Sequence, residues 1–313
     1  MHDHHHHDHA SEAGGSEHRL GTALFITLAF MAVEVAGGIL FNSLALLADA
    51  GHMLSDVASL GLSWVAFRIG RRAAGDRHTF GFRRSEILAA LCNGLLLWAV
   101  VALILYEAIQ RFYAPVPVKG GGMLAVAGVG LAVNLAMAVL LFKGKDANLN
   151  VRSAFLHVIA DALGSVGVIV AAVAILFAGL NWMDPVVSVV ISALILYSSW
   201  GLLKESTHIL MEGVPHGIDI REIEDSMVQQ KGVCCVHDLH VWSITSNRHS
   251  LSAHVVLAEN GADRDDVLAQ VNHVLHERFN IDHTTIQIES THDLRTDTEG
   301  LVCRKGTRCN ASN

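Results

Sequence analysis

The chain has 313 residues, of which 51% are hydrophobic and only 17% charged, and its formal charge is −8. Soluble domains carry about 25% charged residues, so the composition points to a membrane protein. The negative balance excludes a generally basic, nucleic-acid-binding surface.

The first 18 residues form a histidine-rich head, with His2, His4, His5, His6, His7 and His9 interleaved with Asp3 and Asp8. Such tracts gather zinc locally, so the head reads as a metal-collecting tether, with a solvated low-complexity segment as the alternative. No basic stretch precedes a short apolar core there, so no cleavable signal peptide is expected. Apolar runs of membrane-spanning length follow at Leu20–Leu40, Leu44–Ala66, Ile87–Ile109, Met123–Phe142, Ala154–Ala178 and Pro185–Leu203. About 20 apolar residues cross the hydrocarbon core as a helix. Six spans place both termini on one side, and residues 19–206 form the membrane domain.

Basic residues select that side. Arg68, Arg71, Arg72, Arg77, Arg83 and Arg84 lie between the second and third spans, and Lys143, Lys145 and Arg152 between the fourth and fifth. The opposite connections carry little beyond Arg111 and Lys119. The positive-inside rule therefore predicts cytoplasmic termini.

Gly213, Pro215 and Gly217 mark a junction to a soluble domain over 213–292. Asp219 is placed to cap a helix to Gln230, and Asp263 a second helix to Phe279. Cys234–Ile244, Ser250–Leu257 and Thr284–Glu289 alternate as strands. The fold class is an α-helical membrane protein with six transmembrane helices, followed by a small cytoplasmic α+β, metallochaperone-like domain. Residues 293–313 read as a flexible tail. The five cysteines do not make a disulfide framework and fit a reducing compartment.

The second span holds Asp49, His52 and Asp56, and the fifth holds His157 and Asp161. Each ionisable group at mid-bilayer costs about 2.5–3.5 kcal/mol on insertion scales. The spacing supplies the offset: His52 and Asp56, like His157 and Asp161, are four apart, and such side chains share a helix face. Two facing helices then offer two imidazoles and two carboxylates, a donor set that suits tetrahedral zinc. Asp49 shares the face and could act behind the ligands or as an entry relay. Histidine titrates near neutrality and ligands must shed protons to bind metal, so metal and proton compete for this site. Buried ion pairing within each helix is the bland alternative, weakened by the repeat of one spacing on two spans. Asn93, Asn134 and Glu34 suit a cavity or interhelical hydrogen bonding.

The segments NSLALLADAGHMLSDVASL, RHTFGFRRSEILAAL and LHVIADALGSVG resemble the cation diffusion facilitator family, in its zinc-exporting branch of bacterial zinc, cobalt and cadmium efflux proteins. The resemblance runs from about Leu20 to Glu289. It implies a homodimer in a lipid bilayer, by analogy the bacterial inner membrane, exchanging divalent metal for protons. It places the transport site at His52, Asp56, His157 and Asp161, with zinc as cargo and as a regulatory ligand and no other cofactor. In the soluble domain its metal-binding positions match His237, His254 and Glu289. His254 and Glu289 alternate away from apolar neighbours, whereas His237 shares parity with Leu239 and Val241; a bulge, or His240 as the ligand, would resolve this. Cys303 and Cys309 stand further apart than a C-x-x-C pair, but related proteins use a terminal cysteine pair as further ligands. Arg84 and Glu212 match a charge interlock. A loop metal site seen in some relatives matches only His78, and a solvated His78 is preferred.

A protease is disfavoured, because His276-Glu277-Arg278-Phe279-Asn280 lacks the second histidine of H-E-x-x-H. The remaining alternative is a non-transporting membrane metal sensor or scaffold.

Overall fold

The structure, a computed structural model, describes residues 27–70, 75–142, 149–245, 248–258 and 263–290. The histidine-rich head, Arg71, Arg72, Lys143, Lys145, and the tail with Cys303 and Cys309 lie outside the described residues. The chain divides into two compact units: residues up to Trp64 with Cys92–Leu203, and Val65–Leu91 with the residues from Lys204 onward.

The first unit is helical: α1 (Thr27–Phe41), α2 (Leu44–Gly70), α3 (Ser85–Tyr113), α4 (Gly120–Phe142), α5 (Leu149–Ala178) and α6 (Met183–Leu210), of which α2, α3 and α6 run on into the second unit. Four described segments are each long and apolar enough to cross a membrane: α3, α4, α6 and Phe155–Ala178 of α5. Helices α2, α3 and α6 overrun their apolar runs by several residues, since a helix needs no lipid to continue once its hydrogen bonds are formed. Leu103, Val139, Leu140 and Phe177 face outward, as membrane helices require, while Leu44, Ala45, Leu46, Val101, Met123, Val168 and Ala171 make an inner core. Small residues let α1 and α4 approach closely: a Cβ on Gly130 would lie 2.6 Å from the Phe30 ring.

The connections α1–α2, α3–α4 and α5–α6 meet in a buried polar knot. Ser43 precedes α2, and its hydroxyl accepts the Leu46 N–H at 3.2 Å, as an N-cap does. Asp184, in the first turn of α6, accepts from Ser43 Oγ (2.7 Å), Leu44 N (2.8 Å) and Ala45 N (3.1 Å). Arg111, near the end of α3, donates to Asp184 at 3.3 Å and to the Asn42 carbonyl at 2.7 Å. Asn42 adopts a left-handed backbone, φ 56°, which asparagine tolerates better than most side chains. Arg111, counted above as a loop charge, is thus a buried structural cation.

In the second unit, α7 (Ile220–Val228) and α8 (Arg264–Phe279) begin at Asp219 and Asp263, whose carboxylates accept backbone N–H groups at 2.8 Å. The strands β1 (Val233–Thr245), β2 (Arg248–Leu257) and β3 (His283–Glu289) form one sheet in that order, β1–β2 antiparallel and β2–β3 parallel. Ile223, Met227, Val267, Val271 and Leu275 cover Val236, Val241, Leu251, Ala253 and Val255 to make its core.

Candidate metal centres

In the membrane unit, α2 and α5 bring His52, His157 and Asp161 together, with one donor atom from each within 4.8 Å of the others. Asp161 Oδ1 lies 3.4 Å from His52 Nε2, and its Oδ2 lies 3.7 Å from His157 Nε2. The two rings meet edge to face, 5.6 Å between centroids. A tetrahedral ion with bonds near 2.05 Å spaces its ligand atoms about 3.3 Å apart; the His52–Asp161 separation is close to that, and His157 approaches the other oxygen of the same carboxylate. Asp56 follows His52 by four residues on α2, and its side chain lies outside the described set. Asp49 is buried and faces α5, since a Cβ on Gly164 would lie 3.8 Å from its Oδ1. Glu34 on α1 is buried in the same neighbourhood. Asn93 Nδ2 donates to Ser55 Oγ at 3.1 Å, tying α3 to α2 beside the site.

The second cluster lies on the sheet. His237 (β1), His254 (β2) and Glu289 (β3) each present a donor within 4.8 Å of the others. Glu289 meets His237 Nε2 at 2.9 Å through one carboxylate oxygen and His254 Nδ1 at 2.7 Å through the other. The parity difficulty at His237 has a local cause. The register shifts between His237 and His240, around Asp238 at φ 50°. This bulge inverts the alternation: Val236 before it and Val241 after it both enter the core, while His237 pairs with His254 on the opposite face. His240 instead contacts Asp238 at 2.9 Å, and that hydrogen bond holds the Asp238 carboxyl below its ordinary range.

Arg84 Nη2 lies 3.2 Å from Glu212 Oε1. His78 packs on Phe82, 4.3 Å between ring centroids, in the short bridged turn Gly75–His78. The sequence reading passed over Asp184; the signal available was an acidic residue directly before Pro185 at the start of an apolar run. It also passed over the stacked pair His208 and His216, the latter 2.7 Å from Glu205.

Comparison with known proteins gives these sites a frame. Residues 20–211 match the cation efflux transmembrane domain, and residues 215–291 match the cytoplasmic domain of cation efflux proteins. The chain is 42% identical to the cadmium, cobalt and zinc/H(+)-K(+) antiporter of Bacillus velezensis, over 97% of this chain and 96% of that one. It is 43% identical to the zinc transporter ZitB of Escherichia coli, over 91% of this chain and 92% of that one. Among solved structures, the metal-bound C-terminal domain of the CzcD transporter from Cuprividus metallidurans is 38% identical and covers 23% of this chain and 99% of its own, with a TM-score of 0.22. With both domains matched in order and relatives aligned almost end to end, the chain belongs to the cation efflux, or cation diffusion facilitator, family and is a multi-pass membrane transporter, not an enzyme.

Proposed function

We propose that this protein exports zinc from the cytoplasm by proton antiport with alternating access, with cadmium, cobalt and nickel as further candidate cargoes. The observation that carries the reading is the meeting of His52 on α2 with the i, i+4 pair His157 and Asp161 on α5. The donor set is nitrogen and oxygen, which suits a tetrahedral zinc ion. Relatives named for zinc transport and for cadmium, cobalt and zinc antiport support the same cargo class. Zinc binds the deprotonated site through His52, Asp56, His157 and Asp161. When the site opens to the other side, protons take the histidines and carboxylates, and the metal leaves. Geometry selects among divalent ions whose intrinsic affinities overlap.

The protein works as a homodimer in the bacterial inner membrane with both termini in the cytoplasm. The match of the cytoplasmic domain and the arginine-rich α2–α3 connection support this arrangement. His237, His254 and Glu289 take cytoplasmic zinc as a regulatory ligand, and Arg84 with Glu212 forms a charge interlock.

The test is zinc flux into proteoliposomes under an imposed pH gradient, for wild type and His52→Ala. Gradient-dependent flux that disappears in the variant is the expected result. Folded wild-type protein that binds zinc but moves none would favour a membrane metal sensor instead.

A further inference from the structure

Helix α2 carries His52, yet nothing in the transport chemistry uses the polar knot at its first turn. That knot is expensive to build: Asp184 is fully buried, and an unpaired carboxylate there would carry a large desolvation cost. Its two oxygens instead receive four donors. Oδ1 takes Ser43 Oγ at 2.7 Å and Ala45 N at 3.1 Å; Oδ2 takes Leu44 N at 2.8 Å and Arg111 Nη1 at 3.3 Å. The carboxylate therefore caps α2 from a different helix and sits where the positive end of the α2 dipole favours an anion. Arg111 closes the other side, reaching the Asn42 carbonyl at 2.7 Å and Asn42 Oδ1 at 3.0 Å. Leu44, Ala45 and Leu46 are all buried there, so water cannot replace a lost partner cheaply.

We propose that Asp184 is a positioning residue of the transport cycle: with Arg111 it anchors the first turn of α2 to α3 and α6, and so fixes the depth and rotation at which His52 meets Asp161.

Helix geometry gives the anchor its leverage. His52 stands eight residues beyond Leu44 and Gly70 stands 26 beyond it. At 1.5 Å per residue these are about 12 Å and about 39 Å. A tilt of about 10° about the anchor moves the His52 level by about 2 Å and the far end by about 7 Å. Access can thus open at the far end while the metal ligands shift little. An unanchored helix has a second freedom, sliding in its groove. A slip of one residue, 1.5 Å, is equivalent to a rotation of about 100°, which would turn His52 away from Asp161. Pinning both carboxylate oxygens to successive backbone N–H groups forbids that slip.

This inference rests on the transport reading, and the experiment separates the two. Full-length wild type, Asp184→Asn, Arg111→Gln and the double variant are reconstituted, and zinc flux is normalised to the amount of folded, monodisperse protein. Each single variant is expected to lose at least about tenfold in normalised turnover at subsaturating zinc, with the KM for zinc raised because His52 no longer meets Asp161 at a fixed depth and rotation. The double variant is expected to lose no more than the worse single one, because the two residues act as one unit. A purely structural role would lower the yield of folded protein and leave normalised turnover alone. Normalised turnover within twofold of wild type for Asp184→Asn, in a preparation whose wild type transports, overturns the anchor without touching the transport reading. If Asp184→Asn does not fold, Ser43→Ala removes one contact to the carboxylate together with the hydroxyl that accepts the Leu46 N–H. It should lower normalised turnover by about two- to fivefold, and unchanged turnover there overturns the proposal equally. Absence of flux in wild type would remove the transport reading, and the anchor with it.

Discussion

Asp161→Ala is the most informative perturbation of the membrane centre, because both histidines converge on this carboxylate, at 3.4 Å and 3.7 Å. Its loss removes one of four proposed ligands and also the carboxylate that both rings approach. Structural zinc sites with four ligands bind with about 10–16 kcal/mol of apparent free energy, or about 2.5–4 kcal/mol per ligand. At about 1.4 kcal/mol per factor of ten, losing one ligand should weaken zinc binding by about 10²–10³-fold. Equilibrium binding by calorimetry measures this directly, in a background where Glu289→Ala disables the cytoplasmic cluster. Proton-driven flux should fall below detection at zinc concentrations that saturate wild type. Asp161→Asn keeps the shape and one acceptor oxygen but not the charge, and should bind zinc between wild type and Asp161→Ala. Wild-type affinity and flux in Asp161→Ala would refute the assignment of this carboxylate as a ligand.

Three further outcomes follow from the cytoplasmic unit and its junction. Glu289→Ala, in a His52→Ala, Asp161→Ala background, should lower residual zinc affinity by about 10²-fold or more, whereas His240→Ala should leave it unchanged because His240 is turned to Asp238. Zinc titration of the full-length variants distinguishes these, and equal losses would mean the bulge does not decide the ligand. Arg84→Ala removes the 3.2 Å contact with Glu212 and should slow flux several-fold while leaving zinc binding at the membrane site intact; unchanged flux would remove the interlock. Burial lowers the affinity of His249 for its proton below the ordinary value near 6.5. The unfolded chain then binds that proton more readily, so the sheet loses stability as pH falls through about 6.5. The protection factors of β2 amides, corrected for the intrinsic slowing of exchange at lower pH, should fall over that range, and His249→Asn should flatten the dependence.

The four long apolar helices and the shared face of His157 and Asp161 were legible because periodicity is local: residues four apart on a helix share a face whatever surrounds them. The strands and the capping aspartates Asp219 and Asp263 were legible for the same reason. His237 was not, because one inserted residue at Asp238 inverts the facing of everything after it, and no pattern of polar and apolar residues marks where the inversion falls. Arg111 was misread as a topological charge because its partner, Asp184, stands 73 residues away. A buried long-range ion pair leaves two isolated charges in a sequence, and each looks like a loop residue until the fold joins them.

The sheet cluster draws one residue from each of its three strands, the outer two lying 52 residues apart along the chain. A cation seated there would act as a rivet through the whole sheet. Cross-links that close long loops remove the most freedom from the unfolded chain, so the ion would suppress fraying at both sheet edges together. Cytoplasmic zinc would then be registered as stiffness, with no need for any strand to change its place.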